Sequence, residues 1–274
     1  QIGNIFSKRN ILVCFGGYVS LVGLAHFSGP IYIQEQNSIP GSTNRLLARY
    51  KKIDKIFCGF PKTQDFFEEK KAIFSGNLIN LDAQKVEKKK PCSGELDIKI
   101  MGGSLGARLI NKTAPKVFSQ LLQDFPDFKF ILSHQCGKGN LEETKSYYDS
   151  CKKNFDLKLF EFVESMESFY SNVDLIISRA GALSVSEICE TQNIAIFIPL
   201  KNSIDNHQHE NAKFLAEKNS AFICEEDLLE ENLKKILFEI VKNPEILEKM
   251  KKNISRISLT DKKNIIVKKI LSNE

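Results

Sequence analysis

The chain has 274 residues, of which 42% are apolar, and this is enough to bury the cores of one large or two ordinary domains. Its 39 basic and 34 acidic residues leave a formal net charge of +5, which does not require a nucleic-acid partner but permits a weak preference for anionic ligands or membrane surfaces. The seven cysteines form no C-x-x-C pair and no cluster with zinc spacing, which argues against a disulfide framework or zinc site and indicates a reducing compartment.

The first part of the chain alternates short apolar runs with polar turns. Strands are predicted at residues 11–15, 31–34, 54–58 and 72–75. A helix is expected at about 42–50. The polar residues 35–41 follow the second strand, and ligands of open α/β sheets bind at the carboxyl ends of the strands. This part has few strands and no opening glycine-rich phosphate loop of its own.

A change in composition separates the two parts of the chain. Residues 83–91 contain four lysines and no apolar period. Such a stretch is typical of a linker or domain boundary, and we expect one here.

The second part restarts the alternation of strands and helices. Strands are predicted at residues 96–101, 128–132, 157–160, 175–178, 194–198 and 221–224. A helix follows the first of these strands, and Pro115 is expected to start a second helical piece. Strands that alternate with helices predict βαβ units and a parallel sheet, so the chain is expected to carry two Rossmann-like sheets.

Two glycine-containing turns lead from a strand into a helix, at Gly102–Gly106 and at Arg179–Gly181. A helix that starts at such a turn offers free backbone N–H groups and a positive dipole end to a phosphate or diphosphate. Glu187, one turn into the second helix, could accept hydrogen bonds from two ribose hydroxyls. Ser184 and Glu187 also fit a capping box, which needs no ligand, and the sequence leaves both interpretations open. The spacing is not G-x-G-x-x-G, so NAD binding is not indicated.

The histidines are interpreted by their spacing. His134 ends a predicted strand, and a structural role is favoured for it. His207 and His209 diverge on a helix without a third ligand nearby, so no metal site is expected. Gln208 and Asn211 in the same polar segment are better suited to binding sugar hydroxyls.

Six motifs stand in a fixed order along the chain. They are Gly16-Gly17-Tyr18-Val19-Ser20, Glu35-Gln36-Asn37, Gly102-Gly103-Ser104-Leu105-Gly106-Ala107-Arg108, His134-Gln135-Cys136-Gly137-Lys138-Gly139, Arg179-Ala180-Gly181-Ala182-Leu183-Ser184-Val185-Ser186-Glu187 and His207-Gln208-His209-Glu210-Asn211-Ala212. In order and rough spacing this set resembles the MurG family of N-acetylglucosaminyltransferases along nearly the whole chain. Any one of these motifs is a modest signal, whereas the ordered set is specific.

The resemblance implies an α/β protein of GT-B type, with two Rossmann-like domains facing a cleft and the first of them incomplete. A partial acceptor domain is expected at 1–82 together with 259–274, and a donor domain at 83–258. The resemblance implies inverting transfer of N-acetylglucosamine from UDP-N-acetylglucosamine to lipid I, which forms lipid II in peptidoglycan synthesis. It further implies peripheral contact with the cytoplasmic face of the bacterial inner membrane and no metal or other cofactor.

Carried over by position, the resemblance assigns donor-binding residues. Ser104 and the turn that opens the second helix would hold the diphosphate and the ribose. That turn contains Ala182, Leu183, Ser184, Val185, Ser186 and Glu187. Val163 would meet the uracil through its backbone, Gln208 would bind the donor sugar, and Asn37 would reach in from the first domain.

The sequence also departs from the family pattern. Relatives open with a glycine-rich loop that ends in a histidine, and this segment would lie before Gln1, so no catalytic residue is assigned and poor turnover is expected from the chain as it stands. Gln34 replaces a histidine common in relatives, and Asn80 replaces an arginine. Two alternatives remain open at this point: another GT-B enzyme, such as a UDP-N-acetylglucosamine epimerase, and a non-catalytic remnant that only binds the nucleotide sugar.

Overall fold

The computed structural model describes residues 10–17, 19–21, 27–89, 94–151, 156–257 and 262–271. The chain divides into two compact units. Unit 1 contains Gln1–Ile79, Ser203–Asn211 and Leu259–Glu274, and unit 2 contains Asn80–Asn202 and Ala212–Ser258. The first boundary thus lies three residues before the expected one, and residues 203–211, expected in the second domain, cluster with unit 1.

Hydrogen bonds within unit 1 explain why residues 203–211 belong to it. The Nδ1 atom of His207 donates to the carbonyl oxygen of Ile39 at 3.0 Å. The backbone N–H of Ser38 donates to Oδ1 of Asn211 at 2.8 Å, and this amide oxygen is fully buried. Buried polar groups are costly unless they are paired, so these bonds fix the segment where it lies.

Unit 1 is built on a parallel sheet whose described strands run in the order β1-β2-β3-β4. They are β1 Leu12–Cys14, β2 Ile31–Glu35, β3 Ile53–Cys58 and β4 Ala72–Phe74. A helix α1, Ser42–Leu47, packs Leu47 into the core of one face with Ile31 and Ile33. On the other face Tyr32 and Phe57 pack against Ile266 of the last helix, Lys262–Leu271.

Unit 2 contains a parallel sheet whose described strands run in the order β10-β9-β8-β5-β6-β7. They are β5 Glu95–Met101, β6 Lys129–Gln135, β7 Asp156–Phe160, β8 Leu175–Ser178, β9 Ala195–Phe197 and β10 Ala221–Ile223. Its helices are α2 Arg108–Asp124, α3 Leu141–Ser150, α4 Met166–Tyr170, α5 Ala182–Glu190, α7 Leu229–Lys242 and α8 Glu245–Ile254. Helix α6, His207–Ala216, begins in unit 1 and ends in unit 2, and α9 is the last helix of unit 1, Lys262–Leu271. The predicted α/β class with parallel sheets is confirmed.

The strand order of unit 2 reverses at its central strand. From β5 the chain continues to β6 and β7 on one side, and it then returns to β8, β9 and β10 on the other. Met101 at the end of β5 pairs with Gln135 of β6 and with Ser178 of β8. The turns that follow these strands therefore start side by side at one edge of the sheet.

The expectation for Pro115 is wrong, because α2 runs unbroken through it. The proline removes the N–H that would bond to the carbonyl of Asn111, a cost of about 3 kcal/mol in a helix interior. Buried residues continue on both sides of it, among them Ile110, Val117 and Leu121. Each such side chain contributes roughly 1.5–3 kcal/mol, so burial of one continuous face outweighs the lost bond.

The described residues of the lysine-rich stretch, 83–89, are held against other elements of unit 2 by hydrogen bonds and an ion pair. Val86 is buried, and the backbone of Glu87 bonds to Ser171 and Asn172. Lys89 contacts Asp174 at 2.8 Å. The ammonium of Lys88 donates to the carbonyl of Thr191, and burial lowers its pKa. A linker was expected because lysines are usually solvated, but here their partners lie on neighbouring elements of the fold.

Two general expectations can be compared with the described residues. The six cysteines within them are free thiols, while Cys92 lies outside the described ranges. Among the described helices, none is both long enough and apolar enough to cross a bilayer.

His134 on β6 has the structural role that the sequence favoured. It is fully buried, with Nδ1 3.0 Å from the hydroxyl of Tyr148 and Nε2 3.0 Å from Oδ1 of Asn111. The side-chain N–H of Asn111 donates to the carbonyl of Cys136, so its oxygen must accept from Nε2 and the hydroxyl of Tyr148 must donate to Nδ1. Burial lowers the pKa of His134 to about 3, so the ring is neutral.

The neutral His134 makes unit 2 sensitive to acid. The unfolded chain binds a proton at this histidine near its ordinary pKa of about 6.5, whereas the folded chain does so only near 3. The unfolded state therefore binds more protons between these values, and the free energy of unfolding should fall by about 1.4 kcal/mol per pH unit below 6. In urea titrations from pH 7.5 to 4.5, a His134→Gln variant should lose less stability on acidification than the unsubstituted chain. Parallel curves for the two chains would contradict the assignment.

Candidate functional site

The two glycine turns follow neighbouring strands at the point where the strand order reverses. One turn connects β5 to α2, and the other connects β8 to α5. Ile98, Lys99, Ile100 and Met101 of β5 pair in parallel register with the four residues of β8. In open α/β sheets, ligands bind outside the carboxyl ends of the strands at such a reversal. The two turns predicted to bind a phosphate thus lie next to each other at one edge of the sheet.

The turn after β5 needs glycine for close packing. Gly106 has φ 77°, and a Cβ there would collide with the carbonyl oxygen of Cys136. Gly103 has φ 84°, and a Cβ placed there would have no neighbouring atom within 4 Å. Backbone can therefore approach a ligand at Gly103, while Gly106 fixes the turn against the neighbouring loop.

Ser104 lies in this turn rather than at the start of the helix. It is exposed, and its carbonyl oxygen accepts from the N–H of Lys138 at 3.3 Å. Helix α2 begins at Arg108 after Ala107, which has no side-chain cap. The Ser104 hydroxyl thus lies four residues before the first helical residue, because the positive-φ glycines Gly103 and Gly106 extend the turn.

The turn after β8 starts α5 without a side-chain cap. Gly181 is the N-cap residue, and no cap bond is formed by a side chain. Ser184 lies within the first helical turn, where it cannot act as the N-cap. The carboxylate of Glu187 bonds instead to the hydroxyl of Tyr170. The capping-box interpretation is therefore wrong, and the first N–H groups of α5 point out of the helix toward the turn.

Glu187 and Tyr170 form a pair that the sequence did not indicate. The hydroxyl of Tyr170, the last residue of α4, donates to Oε2 of Glu187 at 2.9 Å. Burial raises the pKa of the Glu187 carboxyl, and the bond from Tyr170 opposes part of that rise. Tyr170 ends a five-residue helix and has no motif around it, so periodicity offers no signal for its role.

Arg179 ties together three turns at the same sheet edge. Its guanidinium lies 2.6 Å from the carboxylate of Glu226 and donates to the carbonyl of Ile198 at 3.1 Å. The other carboxylate oxygen of Glu226 accepts from the N–H of Lys201 at 3.0 Å. Arg179 is largely buried in this arrangement, so its charge holds the turn rather than facing solvent.

Val163 lies in the loop after β7, at the other side of β5. Gln135 at the end of β6 donates to the carbonyls of Gly103 and Glu161, each at 2.8 Å. The carboxylate of Glu161 also accepts from the N–H of Gly139 at 2.6 Å. The loops after β5, β6 and β7 are thereby joined, and Val163 is partly exposed beside them. Within unit 2 the structure thus brings Ser104, Val163 and the start of α5 to one sheet edge.

Asn37 and Gln208 belong to unit 1. The N–H of Asn37 donates to Glu35 at 2.9 Å, and its side-chain oxygen accepts from Asn211 at 3.2 Å. Glu35, at the end of β2, is buried and also accepts from Asn44 at 2.7 Å. Gln208 is partly exposed in the first turn of α6. The glutamate of the Glu35-Gln36-Asn37 motif thus organises the loop that carries Asn37.

A metal site is not apparent within these ranges. The described residues hold no group of three or more His, Cys, Asp or Glu side chains disposed to bind a metal ion. The first N–H groups of α2 and α5, which have no acceptor within their own helices, suit an anionic ligand.

Comparison with known proteins gives the same assignment as the motifs. The Glycosyltransferase family 28 C-terminal domain matches residues 98–268. A UDP-N-acetylglucosamine--N-acetylmuramyl-(pentapeptide) pyrophosphoryl-undecaprenol N-acetylglucosamine transferase from Acinetobacter baumannii (strain ATCC 17978) is 34% identical over 254 residues, which is 89% of this chain and 67% of that relative.

Solved structures extend this match to the fold. The crystal structure of Acinetobacter baumannii MurG matches with a TM-score of 0.72 and 31% identity, over 93% of this chain and 72% of that one. A UDP-GlcNAc 2-epimerase from Neisseria meningitidis bound to UDP-GlcNAc matches with a TM-score of 0.63 at 12% identity, over 96% of this chain and 76% of that one, and shows the fold alone. The GT-B class is confirmed. The chain is at least 31% identical to MurG proteins over most of its length, and it therefore belongs to the MurG family of glycosyltransferases.

Proposed function

We propose that the chain transfers N-acetylglucosamine from UDP-N-acetylglucosamine to lipid I, the undecaprenyl-pyrophosphoryl muramyl peptide, to form lipid II in peptidoglycan synthesis. The observation that carries this proposal is the pairing of β5 with β8 at the reversal of the sheet, with a glycine turn after each strand. Family membership supports the same reaction, because the relative from Acinetobacter baumannii carries that activity in its name.

The donor diphosphate would lie at the two turns of unit 2. Ser104 and the first N–H groups of α5, from Ala182 to Ser184, would donate to its oxygens, and the dipole of α5 would offset its charge without a metal. Glu187 would accept from the ribose hydroxyls, and the backbone of Val163 would meet the uracil. The partly exposed loop after β7 supports the last assignment, because Gln135 donates to the backbone carbonyl of Glu161 and the Glu161 carboxylate accepts from the N–H of Gly139.

The transfer itself is an inverting displacement. The 4-hydroxyl of the muramyl sugar attacks C1 of the donor sugar and releases its proton to water, a new C–O bond forms, and the bond from C1 to the phosphate oxygen breaks. The electron pair leaves with UDP, whose added charge the helix terminus and the turn N–H groups stabilise. Gln208 of unit 1 would bind the donor sugar, and Asn37 would contribute from the loop organised by Glu35.

The acceptor requires a membrane surface. Its polyprenyl chain is lipid-soluble, so we propose peripheral contact at the cytoplasmic face of the bacterial inner membrane. The formal charge of +5 favours an anionic surface, and the described helices include none that would span it.

An epimerase is the alternative that the sequence left open, and the Neisseria meningitidis enzyme shares the fold. An epimerase changes UDP-N-acetylglucosamine without an acceptor, whereas a transferase consumes it only with one. Product analysis with and without lipid I therefore separates these two chemistries. A remnant would bind the nucleotide sugar and give no product in either case.

Calorimetric titration tests the donor site directly. The chain should bind UDP-N-acetylglucosamine saturably and in preference to UDP-glucose, and it should not bind NAD, because neither glycine turn has the G-x-G-x-x-G spacing of a dinucleotide site. Circular dichroism on the same sample confirms that the chain is folded. Absence of binding by a folded chain would contradict the proposed donor site.

Glu187→Gln tests the ribose assignment. The substitution keeps the shape of the side chain but removes the charge, and hydrogen bonds to a charged group contribute about 1.5–3 kcal/mol, so affinity for UDP-N-acetylglucosamine should fall about 10- to 100-fold. Glu190→Gln, at the end of the same helix, is the matched control and should bind as the unsubstituted chain does. Equal affinity for the Glu187→Gln variant and its control would rule out the ribose contact.

A further inference from the structure

The buried hydroxyl of Tyr170 is one side of a closed ring of hydrogen bonds around Glu187. Tyr170 is fully buried, and its hydroxyl donates to Oε2 of Glu187 at 2.9 Å. The hydroxyl of Thr191 donates to the backbone carbonyl of Glu187 at 2.8 Å. The side-chain N–H groups of Asn193 contact Thr191 Oγ1 at 3.1 Å and the backbone carbonyl of Tyr170 at 2.9 Å. The ring thus connects the end of α4 to the helix that carries Glu187.

Both ends of the Tyr170–Glu187 bond are held firmly. The Tyr170 ring packs edge-on against Phe169, with centroids 5.7 Å apart. Asn193 and Thr191 are themselves buried, so their bonds are not exchanged with water. A side chain whose partners are fixed in this way keeps one rotamer, and its hydrogen-bonding direction is preset.

The donor and the acceptor of this hydrogen bond are fixed as well. Burial and the neighbouring carboxylate raise the pKa of Tyr170 well above its usual value, so the phenol keeps its proton. An ionised carboxylate only accepts hydrogen bonds, and the phenol is therefore the donor to Oε2. Such a bond favours the charged form of Glu187, which its partial burial opposes.

We propose that Tyr170 is a positioning residue for the donor nucleotide, because it holds Oε2 of Glu187 and directs the rest of the carboxylate to the vicinal hydroxyls of the ribose. This inference rests on the proposed function, since it requires that Glu187 is the ribose-binding residue. Tyr170 itself does not touch the ligand. Its hydroxyl prevents the carboxylate from rotating and favours its charged form, which is the stronger acceptor for the paired hydroxyls of a ribose.

A ligand that lacks the hydroxyls separates this role from a structural one. UDP and 2′,3′-dideoxy-UDP are titrated against the unsubstituted chain and against Tyr170→Phe. The unsubstituted chain should bind UDP about 10- to 100-fold more tightly than the dideoxy analogue. In Tyr170→Phe the affinity for UDP should fall about 5- to 20-fold, whereas the affinity for the analogue should change less than about 3-fold, because the two deletions remove the same interaction.

Tyr148→Phe is the matched control. It deletes a second buried phenol hydroxyl of unit 2, which hydrogen-bonds to His134 and not to Glu187. This variant should lose thermal stability and keep the discrimination between UDP and the analogue. With lipid I as acceptor, Tyr170→Phe should raise KM for the donor and leave kcat within about 3-fold. The reason is that the substitution weakens binding of the donor equally in the ground state and in the transition state.

The outcomes are distinct for the two proposals. If the unsubstituted chain binds both ligands equally, the ribose assignment of Glu187 fails, and the role of Tyr170 fails with it. If the unsubstituted chain discriminates and folded Tyr170→Phe discriminates equally well, only the role of Tyr170 is overturned. Should Tyr170→Phe not fold, Tyr170→Met removes the same hydroxyl with an unbranched apolar side chain that adapts to the site. Reduced discrimination in that variant supports the proposal, and full discrimination overturns it.

Discussion

The parallel pairing of β5 with β8 is the contact on which the candidate site depends. These strands are separated in sequence by two other strands and their helices, yet Met101 and Ser178 are in register at their ends. The pairing places the turn after each strand at the same sheet edge and the start of α5 beside the positive-φ turn of Gly103. A slip by one residue would turn every side chain of β8 to the opposite face, so burial on both faces fixes this register.

Charged and polar side chains at the edge of the sheet are held by specific partners. Arg179 is held by Glu226, Gln135 joins two loops, and Glu187 is held by Tyr170. Each of these bonds connects residues that lie on different elements of unit 2. The backbone at the turns can thus stay open to a ligand while the side chains around it are fixed, which is the arrangement that preorganised binding requires.

Much of this could be predicted from the sequence, and the failures have physical causes. The strands were found because apolar runs of four to seven residues are read locally. Pro115 was misjudged because local propensity ignores the burial of a whole helix face. Composition predicts a linker or domain boundary at the lysine-rich stretch, because it does not show that Lys89 pairs with Asp174 and that Lys88 donates to the carbonyl of Thr191. The capping box failed for the same reason, since the partner of Glu187 is 17 residues away.

The sequence by itself determined the alternation of strands and helices, the two glycine turns, and the ordered motifs that indicate the family, because these depend on neighbours within a few residues. Only the tertiary structure decided which turns meet, that residues 203–211 belong with unit 1, and that His134 is neutral. It also decided that Tyr170 holds Glu187. These features depend on strand order and on burial, and both are set by contacts between residues distant in sequence, which a one-dimensional pattern does not record.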